Sequence, residues 1–196
     1  NVDDRHRPEA LERLAHVLDS HPDIALVYAD SAVTKVENAT LDHAEVIGHF
    51  RWPEFDPRRL FQVCYVGPQP MWRTSLHERY GLFNARYESA GDYEFWLRLT
   101  AGGERFRHLA DTLGLYLLSP QGNEQRNQAL SVKESDDARA RYWPISWGTR
   151  PKPEGQYFTP CQNPAPQALD TTDPVVSVIV PTHDRPIMLM RALASI

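Results

Sequence analysis

Apolar positions in the first thirty residues follow a helical spacing and then a strand spacing. Over residues 8–20 they recur every three or four positions, which predicts an amphipathic helix with one face made by Leu11, Leu14, Ala15 and Leu18. Residues 24–29 are then continuously apolar, which is typical of a strand buried on both faces of a parallel sheet. Asp30 would follow at the carboxyl end of that strand, where open α/β sheets bind their ligands.

The next ninety residues show a weaker pattern. Residues 31–60 lack clear alternation and contain Trp52-Pro53 and Asp56-Pro57, so we expect a long surface excursion without a helix. Helices are predicted over residues 71–80, ended by Gly81, and over residues 92–101, ended by two glycines. Residues 106–118 are expected to be extended.

The last third of the chain changes character twice. Residues 121–143 are polar and compatible with a helical extension, and residues 144–174 resemble a linker because they contain 7 of the 16 prolines. Residues 175–180 then predict a new buried strand, with a helix after Arg185-Pro186. We interpret the chain as a fragment of a longer protein that crosses a domain boundary.

Composition narrows the class of protein. The chain has 196 residues, of which 41% are hydrophobic and 24% charged, which suits a globular protein and excludes a wholly disordered one. The net charge of −5 argues against a general nucleic-acid binder. No apolar run approaches the ~20 residues of a membrane span. Two cysteines make no disulfide framework, so we expect a cytoplasmic protein.

The first candidate site is Asn1-Val2-Asp3-Asp4, immediately before the first predicted helix. Adjacent carboxylates at a loop tip suit a hard cation such as Mg²⁺ or Mn²⁺. The alternative is that Asp3 or Asp4 only favours the following helix N-terminus, and residue type alone makes this simpler interpretation the stronger one.

The second candidate site lies around Asp92, at the start of a predicted helix. Asp92 is either a helix cap or a general base for an acceptor hydroxyl, and the residues alone favour the cap. Three aromatic residues nearby are expected in the core or a pocket wall, namely Tyr93, Phe95 and Trp96. Arg98 is expected to form a structural ion pair or a helix cap.

The third candidate site follows the strand at residues 175–180, where a turn carries the polar residues Thr182, Asp184 and Arg185 after Pro181. A strand end before a helix is a usual nucleotide position in α/β folds. The turn lacks the glycines of a dinucleotide fingerprint, so composition predicts only a ligand site.

Five segments in the first part of the chain and one after the linker can be compared as a set. They are residues 1–4, Asp-Ile-Ala-Leu-Val-Tyr-Ala-Asp at 23–30, Gly-Pro-Gln-Pro-Met-Trp-Arg-Thr-Ser-Leu at 67–76, Tyr-Gly-Leu-Phe-Asn at 80–84, Ala-Gly-Asp-Tyr-Glu-Phe-Trp-Leu-Arg-Leu at 90–99 and Val-Ser-Val-Ile-Val-Pro-Thr-His-Asp-Arg-Pro at 176–186. Taken in this order, the segments resemble a family 2 glycosyltransferase. The resemblance covers about residues 1–120, the second half of such a domain, and the last segment looks like the opening of another one.

The resemblance implies a Rossmann-like GT-A fold and an inverting transfer of sugar from a nucleotide donor, assisted by Mn²⁺ or Mg²⁺. It implies that Asp3 contacts the metal and the donor diphosphate, with Asp4 a weaker metal ligand. Asn1 takes the place of the usual first Asp on the donor side. Asp92 falls on the family's catalytic base. In the second domain, the nucleotide base would be held by Pro181, Thr182, Asp184 and Arg185.

The resemblance also implies a nucleotide-sugar donor and a glycan or glycolipid acceptor, with no nucleic-acid partner. Peripheral association with the inner face of the membrane stays open, and the fragment alone is expected to be inactive. The main alternative is a non-catalytic module of the same fold that binds glycan or scaffolds an assembly, favoured by Asn1 and by Gly91 where the family often has Glu. A metal-dependent phosphoesterase that would use Asp3, Asp4 and a histidine is a third hypothesis, disfavoured because further ligating acids are lacking.

Overall fold

The protein is described here by a computed structural model, which covers residues 4–120, 122, 126–153 and 158–160. In this part of the chain six strands form one mixed sheet in the order β1-β5-β2-β3-β6, with β4 paired to β2. The strands are β1 (Arg5–His6), β2 (Leu26–Thr34), β3 (Gly48–Phe50), β4 (Met71–Trp72), β5 (Phe106–Leu117) and β6 (Phe158–Pro160). The helices are α1 (Ala10–Ser20), α2 (Pro57–Leu60), α3 (Ser75–Tyr80), α4 (Gly91–Ala101) and α5 (Gln128–Tyr142). The predicted α/β class is confirmed.

The centre of the sheet is the parallel pair of β2 and β5, which runs from Leu26 opposite Phe106 to Thr34 opposite Leu117. Every residue of β2 is buried, as its apolar run predicts for a strand covered on both faces. The strand is longer than predicted, however. Asp30 therefore lies in the middle of β2, at an irregularity in its register with β5, and the expectation that it ends the strand is wrong.

Helix α1 covers one face of this central pair. Its buried residues Ala10, Leu14 and Leu18 pack in a cluster with Val27 of β2 and Leu113 of β5. The predicted helix is confirmed, although it begins at Ala10 rather than at Pro8 because residues 7–10 form a turn with a hydrogen bond from Ala10 N to Arg7 O.

The segment predicted as a surface excursion contains regular structure, so that prediction is wrong in part. Residues 31–34 continue β2, where β3 and β5 satisfy their backbone from both sides. Asp56-Pro57 begins helix α2 instead of preventing one. The Asp56 carboxylate accepts hydrogen bonds from Arg58 N and Arg59 N, and Pro57 takes the first helical turn, where its missing N–H costs nothing.

The two helices predicted between residues 71 and 101 are present. The first is shorter than expected, because Met71–Trp72 forms strand β4 against β2 and helix α3 begins only at Ser75. Gly81 ends it with φ +80°, a conformation that favours glycine. Helix α4 spans the predicted range and packs into the larger core cluster with Tyr28, Phe61 and Leu76.

Helix α5 lies within residues 121–143, where the polar sequence predicts a helical extension. A single 3-10 turn at Ile145–Trp147 follows, inside the segment predicted as a linker. Within the segment predicted as a linker, the short strand β6 pairs antiparallel with β3 at the edge of the sheet. An edge position tolerates the proline at its end. None of the helices in the described part of the chain is long and apolar enough to cross a membrane.

Candidate functional site

Asp92 lies in the first turn of α4. The helix begins at Gly91 and its N-cap position is Ala90, so Asp92 does not occupy the predicted cap position. Its Oδ1 accepts a hydrogen bond from Tyr93 N at 2.7 Å. The side chain is otherwise exposed to solvent.

The electrostatics of Asp92 differ from those of an ordinary surface carboxylate. Desolvation by surrounding protein raises the pKa of the Asp92 carboxyl, and hydrogen bonds from the backbone N–H groups of residues 92 and 93 only partly oppose this. The side chain is nevertheless exposed, so a ligand can reach the carboxylate. An accessible carboxylate with a raised pKa suits a group that takes a proton from a ligand.

The residues that follow Asp92 hold the helix in the core. Tyr93, Phe95 and Trp96 are buried, which confirms their predicted place. Tyr93 donates its hydroxyl hydrogen to Leu60 O at 2.6 Å, and Trp96 packs edge-to-face on Trp72 with ring centroids 5.2 Å apart.

Arg98 and Glu94 form the structural ion pair that the sequence predicts for Arg98. Their Nη2 and Oε2 atoms are 2.9 Å apart, and the Glu94 side chain is fully buried. Arg98 also donates to the carbonyl oxygens of Tyr80 and Leu82, which ties α4 to the end of α3. Tyr142 of α5 donates to Glu94 Oε1 at 2.5 Å. Glu94 therefore serves the fold, although it stands only two residues from Asp92.

Helix α5 also holds the loop that leads into α4. The Glu134 carboxylate accepts hydrogen bonds from three successive backbone N–H groups, each at 2.9 Å, and it is 9% exposed. Burial alone would raise the pKa of Glu134, but the N–H groups of Glu88, Ala90 and Ser89 outweigh it and lower the pKa. Sequence analysis missed Glu134, because a single acidic residue in a polar helix gives no signal of its partner.

Asp4 is the described residue of the first candidate site, and it lies immediately before β1. It is 8% exposed, and its Oδ1 accepts a hydrogen bond from Leu117 N at 3.0 Å, where β5 ends. The structure therefore places Asp4 at the carboxyl end of the parallel pair β2 and β5, the edge at which α/β sheets bind ligands. A carboxylate oxygen at this edge suits a hard cation.

The turn at residues 67–70 reaches the same strands. Gln69 Nε2 donates to Arg5 O at 2.8 Å, directly beside Asp4. The Gln69 amide occupies the space over Gly114 of β5, because a Cβ at Gly114 would lie only 1.3 Å from Gln69 Oε1. The glycine thus allows the turn to contact β1 across the face of β5.

Basic side chains and a backbone N–H surround Asp30. Its carboxylate, 4% exposed, lies 2.9 Å from Arg51 Nη1 and 2.8 Å from His108 Nε2, and it accepts Trp52 N at 3.0 Å. Burial by itself would raise the pKa of Asp30, but these hydrogen bonds and the charge of His108 lower it overall. The cluster joins β2, β5 and the loop after β3, so Asp30 has a structural role in place of the predicted strand-end position.

The remaining predicted site residues lie outside the described residues: Asn1, Asp3, Pro181, Thr182, Asp184 and Arg185. Their predicted roles stay predictions. Within the described part of the chain, no three His, Cys, Asp or Glu side chains are grouped so as to hold a metal ion.

Comparison with known proteins adds one relative. No family model matches the chain. The chain is similar to the uncharacterized protein y4gI of Sinorhizobium fredii (strain NBRC 101917 / NGR234), with 27% identity over 201 residues. The alignment covers 99% of this chain and 21% of the relative, so the chain spans about a fifth of the relative's length.

Proposed function

We propose that residues 1–120 are the second half of a GT-A glycosyltransferase domain of family 2. The proposed reaction transfers a sugar, with inversion, from a nucleotide-sugar donor to a glycan or lipid-linked acceptor. Residues 175–196 would begin a second such domain. The activity belongs to the longer protein that would contain these residues, and we expect the 196 residues alone to be inactive.

The observation that carries this proposal is the state of Asp92. Glu94, two residues away, is fully buried and held by Arg98 and Tyr142, whereas Asp92 is exposed and contacts the backbone of its own turn. A base must be reachable by the group that it deprotonates. Its raised pKa makes Asp92 a better proton acceptor than an ordinary surface carboxylate.

The position of Asp4 in the sheet fits a metal and donor site near Asp92. Asp4 is held at the carboxyl end of β5. Only residues 102–105 connect α4 to β5, so we infer that α4 runs back along the sheet with its N-terminal end toward that edge. This arrangement would turn Asp92 toward the ligand-binding edge at which Asp4 lies.

In the proposed mechanism, the Asp92 carboxylate takes the proton from the acceptor hydroxyl as its oxygen attacks the anomeric carbon of the donor. The new C–O bond forms on the face opposite the nucleoside diphosphate, and the bond to the diphosphate breaks. Asp3, with Asp4 as the weaker ligand, would hold Mn²⁺ or Mg²⁺, which would neutralise charge on the departing diphosphate. Asn1 would hydrogen-bond to hydroxyls of the donor.

The proposed nucleotide contacts of the second domain rest on the sequence motif alone. There, Pro181, Thr182, Asp184 and Arg185 would line the pocket for the nucleotide base. The proposed partners are therefore a nucleotide sugar and a glycan or glycolipid. A cytoplasmic location fits such substrates and is part of the proposal, whereas association with the inner face of the membrane stays open.

The test uses the longer protein that contains these residues and both complete domains. Turnover of a panel of nucleotide sugars with Mn²⁺ or Mg²⁺ is measured for the wild type, Asp3→Ala and Asp92→Asn. We expect metal-dependent turnover of one donor, lost in Asp3→Ala, and acceptor-dependent transfer lost in Asp92→Asn. Variants that both match the wild type would contradict a transferase site in the first domain.

A non-catalytic glycan-binding or scaffolding module is the alternative, and one observation at Gly91 favours it. A Cβ at Gly91 would meet Tyr87 Cβ at 3.8 Å, an ordinary contact, and its φ is not positive. Packing therefore does not require a glycine at position 91, where the family often has Glu. The absence of that Glu thus has no structural reason here, which fits a domain that has lost a catalytic group. Glycan binding without sugar transfer by the longer protein would establish this alternative.

A further inference from the structure

We propose that Glu134 is a positioning residue for Asp92, and that α5 acts as a clamp which fixes the loop carrying the candidate base. This inference rests on the proposed function. The clamp is defined by three residues of α5, namely Glu134, Asp137 and Tyr142.

The main contact of the clamp is unusually dense. Glu134 Oε1 accepts Glu88 N, and Glu134 Oε2 accepts both Ser89 N and Ala90 N, each at 2.9 Å. One side chain thus receives three successive backbone donors immediately before α4. Successive N–H groups that converge in this way form a concave site for an anion, and a carboxylate satisfies them more strongly than a neutral group would.

The other two contacts hold the flanks of the same loop. Tyr87 donates to Asp137 Oδ2 at 2.5 Å, just before the three N–H groups. Tyr142 donates to Glu94 Oε1 at 2.5 Å, one turn into α4. The clamp therefore contacts the chain before and after Asp92, while Asp92 itself is left exposed.

This arrangement explains why a polar helix docks on the domain. Helix α5 buries few apolar side chains, and among its buried residues are Glu134, Ala138 and Arg139. Arg139 donates to Gln62 O at 3.1 Å, which anchors the helix on the side of α2. Hydrogen bonds fix direction as well as distance, so this type of docking holds the backbone before Asp92 in one geometry. A misplacement of a catalytic group by about 1 Å can cost on the order of 10²-fold in rate.

The experiment compares Glu134→Gln with a matched variant, Asp136→Asn, in the longer protein with both domains. Both changes replace a carboxylate of α5 by an amide. Asp136, however, is 54% exposed and pairs with Arg139, away from the loop. Glutamine keeps one acceptor oxygen and turns an NH₂ group toward at least one backbone N–H, so the loop loosens while the helix is kept. Glu134→Ala removes all three hydrogen bonds.

Two readouts separate positioning from folding. Amide hydrogen exchange at residues 88–90 should become faster in Glu134→Gln and stay as in the wild type in Asp136→Asn. Below the melting temperature, kcat for acceptor-dependent transfer should fall about tenfold or more in Glu134→Gln and further in Glu134→Ala, toward the ~10²-fold cost of a misplaced group. The KM for the donor should not change, because Glu134 contacts no proposed donor residue.

Faster exchange at residues 88–90 with an unchanged kcat would overturn the positioning role, as would an equal loss of kcat in Asp136→Asn. Both results leave the proposed function intact if Asp92→Asn abolishes transfer. A wild-type protein that transfers no sugar, or an Asp92→Asn variant as active as the wild type, would overturn the proposed function and this inference together.

Discussion

Asp30 and Asp92 show how differently one chain can use the same side chain. Asp30 is buried in the middle of β2 and contacts Arg51, His108 and the backbone of Trp52. Asp92 is exposed at the start of α4, and its Oδ1 accepts a backbone N–H of its own turn. The pKa of Asp30 is lowered, because its hydrogen bonds outweigh its burial, whereas desolvation raises the pKa of Asp92.

The difference between the two aspartates separates a carboxylate that is important for stability from one that is proposed to accept a proton. A buried carboxylate with several charged and polar partners is costly to replace, because its loss leaves those partners unsatisfied. An accessible carboxylate with a raised pKa adds little to stability at neutral pH but is ready to accept a proton. Glu94 and Glu134 belong with Asp30 in this respect, since both are buried and hydrogen-bonded.

The largest effect on stability is expected for Asp30→Asn. The change removes the charge that faces His108 and Arg51, and we expect the free energy of unfolding to fall by about 3 kcal/mol. Urea unfolding should show a lower midpoint with an unchanged m-value. The matched control is Asp23→Asn, which breaks an exposed pair with Arg105 and should cost less than about 1 kcal/mol. Equal costs for the two variants would remove the distinction between the buried and exposed carboxylates.

A smaller effect is expected for Gly67→Ala, which disturbs the side chain of Trp52, whose backbone N–H donates to Asp30. Gly67 has φ +79°, and a Cβ there would lie 2.8 Å from Trp52 Nε1, so the indole ring must shift. We expect a loss of about 2 kcal/mol. Gly103→Ala is the control, because Gly103 has φ +89° but an added Cβ would have no neighbour within 4 Å. The free energy of unfolding of Gly103→Ala should fall by about 1 kcal/mol from backbone strain alone. An equal loss in both variants would show that the clash with Trp52 adds no cost.

The smallest effect is a difference in pH dependence. The folded state lowers the pKa of Asp30, so its contribution is full above the ordinary value of 3.8 and is lost as the pH falls through the lowered pKa. The gap in unfolding free energy between the wild type and Asp30→Asn should therefore narrow below pH 3.8.

The pKa of Asp92 shifts in the opposite direction from that of Asp30. Its raised pKa means that the charged form is disfavoured by folding, so Asp92→Asn should leave stability unchanged or raise it slightly at neutral pH. Thermal unfolding at pH 7 measures this. A clear loss of stability in Asp92→Asn would place Asp92 with the structural carboxylates.

Local patterns predicted the longer helices and the two central strands, but neither the short elements nor the contacts between distant segments. The apolar spacing of α1 and the continuous run in β2 are properties of neighbouring residues, and the structure confirms both. The end of β2 was missed because Ser31 and Thr34 are polar. They are buried nonetheless, since β3 and β5 pair with them from both sides. The pair Asp56-Pro57 predicts a break in the chain, but the same two residue types also begin helices, as they do at α2. The sequence alone does not distinguish the two cases.

The same limit applies to the candidate site. Asp92 was found because a motif of adjacent residues surrounds it, and its exposure agrees with a chemical role. Glu134 lies more than forty residues further along the chain from the loop that it holds. Its partners are backbone N–H groups, which every residue type provides, so no sequence pattern marks them. The acidic residues that hold the structure together are therefore visible only in the fold.

The most direct test of the central claim is transfer from a preloaded donor by the longer protein, with Asp92→Asn compared with Asp23→Asn. If Asp92 is the base, its replacement should slow acceptor-dependent transfer by about 10²–10⁴-fold, while the dissociation constant of the donor stays that of the wild type. Asp23→Asn should change neither value. Transfer by Asp92→Asn at the wild-type rate would contradict the account.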